Sequence, residues 1–421
     1  MLSMELIRHD PDYVLRALAS RGETAPIAEI LAIDEKRRSL IAREDILRAK
    51  RNQVSKDIGQ TKGTKTELVE EMRKVGDEIS TINQEVKLIQ EELDSLLLGL
   101  PNIPKSEVPK GLDESSNVII KTWGEPKSFD FTPLPHWELA ENLGILDLQR
   151  GANISGSRFF VLVGKGAKLE RALTNFMLEI HTSQHGYCEV QVPTLVRREI
   201  MLGSGNLPKF GDNLYHDEED DLWLIPTSEV PLTGMHNGEI LQSGILPLKY
   251  VSLTPCFRRE KTAAGRDTRG IKRVHQFNKV EMYKFCTPET SEAELKSLVE
   301  NAETICKLLE LPYRVQQLCA GELGFSSSMS YDLEMWAPGC KEWLEVSSCS
   351  NCTDFQARRS NIRYRAKEGK STTFIHTLNG SGLALPRVLI SLLENGQQHD
   401  GSVIIPEALR PYTGFDVIYG K

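Results

Sequence analysis

The stretch 251–285, VSLTPCFRREKTAAGRDTRGIKRVHQFNKVEMYKF, decides the fold. Its first seven residues are an apolar-rich run ending at Phe257. Residues 276–285 alternate, with Phe277, Val280, Met282 and Tyr283 set among polar side chains. Between the two runs lie two glycines and the cations Lys261, Arg266, Arg269, Lys272 and Arg273. The pattern reads as a strand, a basic loop and a return strand. A loop this long inside a hairpin needs a function, and its charge points to phosphate. Arg258 stands where the first strand ends.

Toward the N-terminus the period changes from two to three and a half. Residues 26–58 carry a seven-residue repeat of Ile33, Leu40, Leu47 and Val54. Residues 59–65, with Gly59 and Gly63, read as a turn. A second run places Leu68, Met72, Val75, Ile79, Ile82, Val86, Ile89, Leu93 and Leu96 at steps of four and three. Two long helices joined by a short turn run antiparallel, so this is a coiled-coil hairpin. Each helix reaches about 48 Å at 1.5 Å per residue, which implies an arm. The first helix is basic and the second leans acidic. A solvated, salt-bridged coiled coil explains that asymmetry; a basic face that follows a phosphate backbone explains it as well. Prolines 101, 104 and 109 and a polar run mark residues 101–115 as a linker. The expected organisation is a helical domain over 1–100, the linker, and a second domain over 116–421.

The second domain reads as strands with long insertions, separated by helices of uneven length. Strands are expected over 117–123, 158–163, 188–195, 331–336 and 342–348, and helices over 167–184, 292–311 and 388–394. The run 378–383, LNGSGL, reads as a turn leading into the last helix. Neither a P-loop nor a G-x-G-x-x-G after a strand occurs. A nucleotide site would therefore use arginines on an antiparallel sheet. Arg258 and Arg387 sit at element ends, where bidentate charge-assisted bonds to phosphate are strong and directional. Glu345 and Ser348 could hold Mg²⁺ together with phosphate oxygens, and Phe277 could stack on a base. Each of these is unremarkable singly; their coincidence is informative.

The totals set limits. At 421 residues, 40% of them hydrophobic, the chain can bury a large core. A net charge of -8 argues against a protein coated in nucleic acid, though not against a local basic patch. Eight irregularly spaced cysteines fit reduced thiols in a cytoplasmic protein. No run of apolar residues is long enough to span a membrane. Cys349 and Cys352 form the lone C-x-x-C pair. A structural zinc wants four ligands, so no zinc is expected.

Four motifs make a resemblance: PTSEVPL from 226, CFRRE with AGRDTRGIKRVHQFNKVEM from 256, LEVSSCSNCTDFQARR from 344, and HTLNGSGLA from 376. Together with the hairpin they resemble a bacterial-type seryl-tRNA synthetase, a class II aminoacyl-tRNA synthetase. The resemblance implies an α+β fold, with an antiparallel-sheet catalytic domain and a coiled-coil arm for tRNA(Ser), and also for tRNA(Sec). It implies ATP and L-serine as substrates, Mg²⁺ as metal, and a homodimer, to which Pro193 belongs, that binds tRNA across subunits. It implies Arg258 on the α-phosphate and the serine carboxylate, Glu260 on the adenine amino group, and Phe277 and Arg387 on either side of the adenine, with Arg387 also near the γ-phosphate. Arg259, Val274, Val346 and Ser347 complete the ATP site, and Glu345 and Ser348 hold the metal. Thr227 and Glu229 line the serine amino-group side, with Ser228 also in the serine site; Glu281 and Ser381 meet the hydroxyl, and Asn379 supports that wall. Arg37, Arg38, Arg48 and Arg51 on the arm, and Arg266, Arg269 and Lys272 in the loop, are the tRNA contacts. The final motif departs from the family, with Pro386 before Arg387 where glycine is more usual; proline suits a first helical turn.

Two other readings compete. A paralogue that loads a carrier protein would lack the long arm. A non-catalytic adaptor would have lost Arg258, Glu281, Glu345 or Arg387, and all four are present.

Overall fold

The computed structural model describes residues 1–60, 66–242, 244–261, 269–365 and 371–420, and of residues 57–60, 67 and 69 the backbone alone. The expected turn over 61–65 and Arg266 of the basic loop lie outside the described residues. The chain forms two compact units: residues 1–19 with 23–101, and residues 20–22 with 102–421.

The first unit is built on helices α1, Ile27–Gln60, and α2, Thr66–Leu98. Their register is fixed by charge as well as by apolar packing. Lys36 pairs with Glu85 at 2.9 Å, Arg43 with Glu78 at 2.5 Å, and Lys50 with Glu71 at 2.6 Å. Each step of seven residues along α1 is answered by seven residues back along α2. That is the signature of an antiparallel heptad seam. Val75, Ile79, Ile82, Ile89 and Leu93 are buried in it, and Ile33, Leu40, Leu47 and Val54 are half-buried. Asp34 is fully buried and receives Arg8, Arg37 and Arg38. Burial alone would push its carboxyl upward, but these guanidinium groups hold it below its ordinary value.

The second unit is organised by an eight-stranded sheet. In chain order its strands are β1 Val118–Trp123, β2 Cys188–Glu189, β3 Leu248–Phe257, β4 Gln276–Cys286, β5 Tyr313–Gln317, β6 Met329–Ala337, β7 Glu342–Asn351 and β8 His376–Ala384. Their spatial order is β1-β5-β6-β7-β8-β4-β3-β2. Every pair is antiparallel except β2 with β3. The strand–loop–strand of residues 251–285 is the β3–β4 hairpin, paired from Phe257↔Gln276 to Leu248↔Phe285.

Three expectations are corrected. The run 188–195 is two short strands, Cys188–Glu189 and Leu195–Arg197, parted around Pro193, whose nitrogen cannot donate to a ladder. Only Val161–Leu162 of the expected strand over 158–163 is strand. The run 378–383 is no turn; it is the interior of β8. Its glycines answer to packing from below. A Cβ on Gly380 would lie 2.9 Å from Cys349 Sγ and from Leu298 Cδ2, and one on Gly382 would lie 2.8 Å from His181 Nε2. Leu298 and His181 belong to the helices Ser291–Leu308 and Lys165–Ser183, which press on this face of the sheet.

Of the run 101–115, read as a linker, residues 102–115 belong to the second unit. Asn102 is buried; its amide donates to Ser326 O and Cys352 O. Arg21 gives four bonds to the carbonyls of Asn102, Leu323, Gly324 and Ser327. Both residues hold the loop 323–328, whose Gly324, Ser326 and Ser327 line the cavity described next.

Candidate active site

Strand parity builds the floor of the cavity. On β4, Phe277, Lys279 and Glu281 point to one face, while Val280 and Met282 go to the core. Ser381 of β8 is the direct cross-strand partner of Glu281, and Asn379 lies two residues on. On β7 parity should divide Glu345 from Ser348, three residues away. A β-bulge prevents that: Leu333 pairs with Ser347 but Glu334 pairs with Glu345, so Val346 is extra. Glu345 and Ser348 therefore both line the cavity. The helix Leu385–Gly396 begins at its rim with Pro386 in the first turn, and Arg387 follows.

One end of the cavity is a network of buried polar groups. Thr227 Oγ1 donates to Glu281 Oε2 at 3.1 Å and accepts from Glu229 N and from Lys279 Nζ. Lys279 also forms an ion pair with Glu281. Gln356 Nε2 and Asn379 Nδ2 donate to Glu229 Oε1 at 2.6 and 3.1 Å. Burial, then the neighbouring Glu281 carboxylate, pushes Glu229 up to about 7. Lys279, Gln356 and Asp332 are site residues that the sequence does not announce. Lys279 reads as one polar position in an alternating strand, and its parity with Phe277 and Glu281 is the signal that flags it.

The other end is cationic. Arg258 donates from Nε to Pro226 O, and its guanidinium stands 5.2 Å from the Phe277 ring centre. Arg387 Nη1 donates to Glu345 O at 2.7 Å and lies 3.2 Å from Glu345 Oε2. Burial raises the Glu345 carboxyl, but Arg387 and Arg258 outweigh it and bring it below its ordinary value. Asp332, the β6 partner of Ser348, is raised well above the carboxylate range by burial and by Glu345. Its Oδ1 has no hydrogen-bond partner among the described residues. Glu260 is held in a left-handed conformation at φ 49° and its carboxylate meets Arg273 Nη1 at 3.3 Å.

Thr227, Glu229, Arg258, Glu260, Val274, Phe277, Glu281, Glu345, Val346, Ser348, Asn379, Ser381, Arg387 and Lys272 are brought together around this one cavity. Three expected residues do not line it. Ser228 is fully buried with its hydroxyl on Thr254. Arg259 turns to Leu214 O and stacks on Tyr215. Ser347 points to the opposite side of the sheet and bonds Ser381 O. Of the loop cations, Arg269 stacks on Trp137 at 4.7 Å, and Lys272 packs near the same ring while pairing with Glu342. In the first unit Arg37 is drawn inward to Asp34 and Gln90. Arg38 and Arg48 stay half exposed while pairing with Asp34 and Glu44, and Arg51 is exposed. Cys349 and Cys352 are both buried; burial keeps both thiols protonated, that of Cys349 at about 12.

An antiparallel sheet with Arg258 at the end of β3, Arg387 on the helix after β8, and carboxylates between them fits a class II aminoacyl-tRNA synthetase core. Residues 212–396 match the family model of the class II tRNA synthetase core domain (G, H, P, S and T), and residues 1–104 match that of the seryl-tRNA synthetase N-terminal domain. The serine--tRNA ligase of Thermomicrobium roseum is 57% identical over 416 residues, 98% of this chain and 94% of the relative; that of Dehalococcoides mccartyi is 53% identical over 99% of this chain and all of the relative. The seryl-tRNA synthetase of Pyrococcus horikoshii, solved in complex with ATP, superposes with a TM-score of 0.94 at 39% identity, covering all of both chains. The chain belongs to the seryl-tRNA synthetase family. Among its described residues no helix is long and apolar enough to cross a membrane.

Proposed function

We propose that the cavity joins L-serine to ATP as seryl-adenylate and then delivers serine to the 3′ end of tRNA(Ser), and of tRNA(Sec). The serine carboxylate attacks the α-phosphorus, the bond to the bridging oxygen breaks, and pyrophosphate leaves. The tRNA hydroxyl then attacks the seryl carbonyl and AMP leaves. No side-chain nucleophile is needed: positioning and charge stabilisation supply the rate. Arg258 holds the α-phosphate, Phe277 stacks the adenine, Glu260 accepts from its amino group, and Arg387 covers the outer phosphates.

The observation that carries the serine assignment is the Glu281–Ser381 pair beside the Lys279–Thr227 network. Lys279 neutralises Glu281, so Glu281 serves as an acceptor for the substrate hydroxyl. Alanine would leave unmade the hydrogen bond that Glu281 and Ser381 offer to the hydroxyl, a larger penalty than a missing methylene. Glu229, with Asn379 and Thr227 beside it, is left to receive the serine ammonium.

Glu345 and Ser348 would hold Mg²⁺. The fit rests on their hard oxygen donors and on Asp332 beneath them, whose unpartnered buried oxygen suits a nearby cation. When bound, the metal neutralises charge on the phosphates. Arg38, Arg48 and Arg51 meet the tRNA backbone, a reading supported by their exposure, and Arg37 supports the hairpin. The enzyme works as a cytoplasmic homodimer, with Pro193 at the interface and one tRNA spanning both subunits. The test is pyrophosphate exchange with each amino acid in turn. Serine-dependent exchange is expected; exchange that depends on a different amino acid overturns the reading.

A further inference from the structure

A second group of titratable side chains lies behind the wall of the cavity and takes no part in the chemistry above. His136, Cys340 and Glu394 are gathered so that one ligand-type atom from each lies within 4.8 Å of the others. His136 and Glu394 are fully buried. The three come from distant stretches of the chain, and none of them is among the residues that line the cavity. His136 opens the helix His136–Asn142. Cys340 sits in the turn from β6 to β7, the strand of Glu345 and Ser348. Glu394 lies on the helix that carries Arg387.

The hydrogen bonds fix what this group is. The backbone N–H of Ile271 points at His136 Nε2 at 3.1 Å. A backbone N–H can only donate, so Nε2 is the lone-pair nitrogen and the ring proton is on Nδ1. Nδ1 is 3.0 Å from Glu394 Oε1, to which it donates. The same oxygen accepts from His136 N at 2.8 Å and from Cys340 Sγ at 3.0 Å. The other carboxylate oxygen accepts from Gly339 N and Cys340 N at 2.8 and 3.0 Å. Five donors thus converge on one buried carboxylate. Burial would raise Glu394, but the bonds from His136 and Cys340 hold it below its ordinary value. Burial and the Glu394 charge keep the Cys340 thiol protonated.

A metal would need the lone pair of Nδ1, and Ile271 places a proton there instead. The group is therefore a hydrogen-bonded junction. Its outward link is short: Ile271 opens the run 271–274, every residue of which lines the cavity. The neighbouring Gly270, at φ +67°, comes so close that a Cβ would lie 2.0 Å from His136 Nε2. Trp137, next to His136, receives Arg269 and Lys272 on its ring.

We propose that His136 is a positioning residue for ATP: through its Nε2 it sets the backbone of Ile271, and through Nδ1 it ties that backbone to Glu394. It touches no substrate. The carboxylate then holds the loop leg, the start of β7 and the Arg387 helix in one arrangement. This rests on the assignment of the cavity as an adenylation site.

Two isosteric substitutions separate the two bonds. His136→Asn keeps an N–H where Nδ1 stands but cannot reach Ile271; His136→Gln places its amide oxygen where Nε2 stands. Pyrophosphate exchange on the full chain would be measured against ATP at saturating serine, and against serine at saturating ATP. Serine-dependent exchange by the unchanged enzyme establishes the underlying reading on its own. His136→Asn is expected to raise the KM for ATP about tenfold, the worth of one lost buried hydrogen bond, with the KM for serine within about twofold. His136→Gln is expected to restore most of the ATP affinity. Should the histidine variants fail to fold, Gly270→Ala strikes the same contact from the loop side and is expected to give the same ATP-selective loss. An equal rise in both KM values, no advantage of Gln over Asn, an unchanged KM in Gly270→Ala, or one zinc per chain by elemental analysis would each overturn the proposal.

Discussion

The helical hairpin and the sheet cavity are assembled on opposite principles. Along the hairpin the ion pairs between the helices repeat. Lys36, Arg43 and Lys50 meet Glu85, Glu78 and Glu71 at constant stagger, and losing one pair leaves the rest of the seam in place. In the cavity no contact repeats. Thr227, Glu281, Glu345, Asn379 and Arg387 come from separate elements, and each has a partner that nothing else supplies. Redundant contacts tolerate substitution; single ones do not.

That contrast can be broken at several points. Deleting residues 27–96 should abolish tRNA charging and spare serine-dependent pyrophosphate exchange; a truncated enzyme that still charges tRNA would show the hairpin to be dispensable. Arg258→Ala should lower exchange about a thousandfold, in the range seen when a charge-stabilising donor is removed, with the far-ultraviolet circular dichroism unchanged. Near-normal exchange by that variant would remove Arg258 from the site. A smaller effect concerns pH. Glu229 holds its proton more tightly folded than unfolded, so stability should fall as pH rises from about 4.5 to about 7. Glu229→Gln should flatten that part of a plot of melting temperature against pH, and an unchanged slope would assign it elsewhere. Smallest of all, Arg43→Ala should cost about 0.5 kcal/mol or less in denaturant unfolding, because the pair is exposed. A loss several times larger would mean that the hairpin, too, depends on single contacts.

The same contrast explains what could be read in the sequence. The heptads of both helices and the β3–β4 hairpin are local patterns, so their periods announce them. The residues 378–383 were misread because glycine usually marks a turn, whereas the demand for Gly380 and Gly382 comes from helices about 80 and 200 residues away in the chain. Lys279 went unnoticed because alternation shows that a residue faces the cavity side without showing what it meets there. Ser228, Arg259 and Ser347 were drawn in by adjacency to site residues, and strand parity and local bonding turn them away. Proline and polar residues mark 101–115 as a linker, and the units do part at 101/102, but that composition says nothing of Asn102, whose amide donates to two carbonyls.

The bulge at Val346 has a wider consequence. Glu345 and Ser348 share a cavity only because one intervening residue is left out of the ladder. The spacing E-x-x-S therefore carries its meaning jointly with a frame shift that no residue type records. A chain could keep both letters and lose the pairing through one deleted residue, while another could keep the pairing with different letters. For this strand, inheritance of function depends on counting as much as on chemistry, and insertions or deletions should be rarer in β7 than substitutions of comparable size.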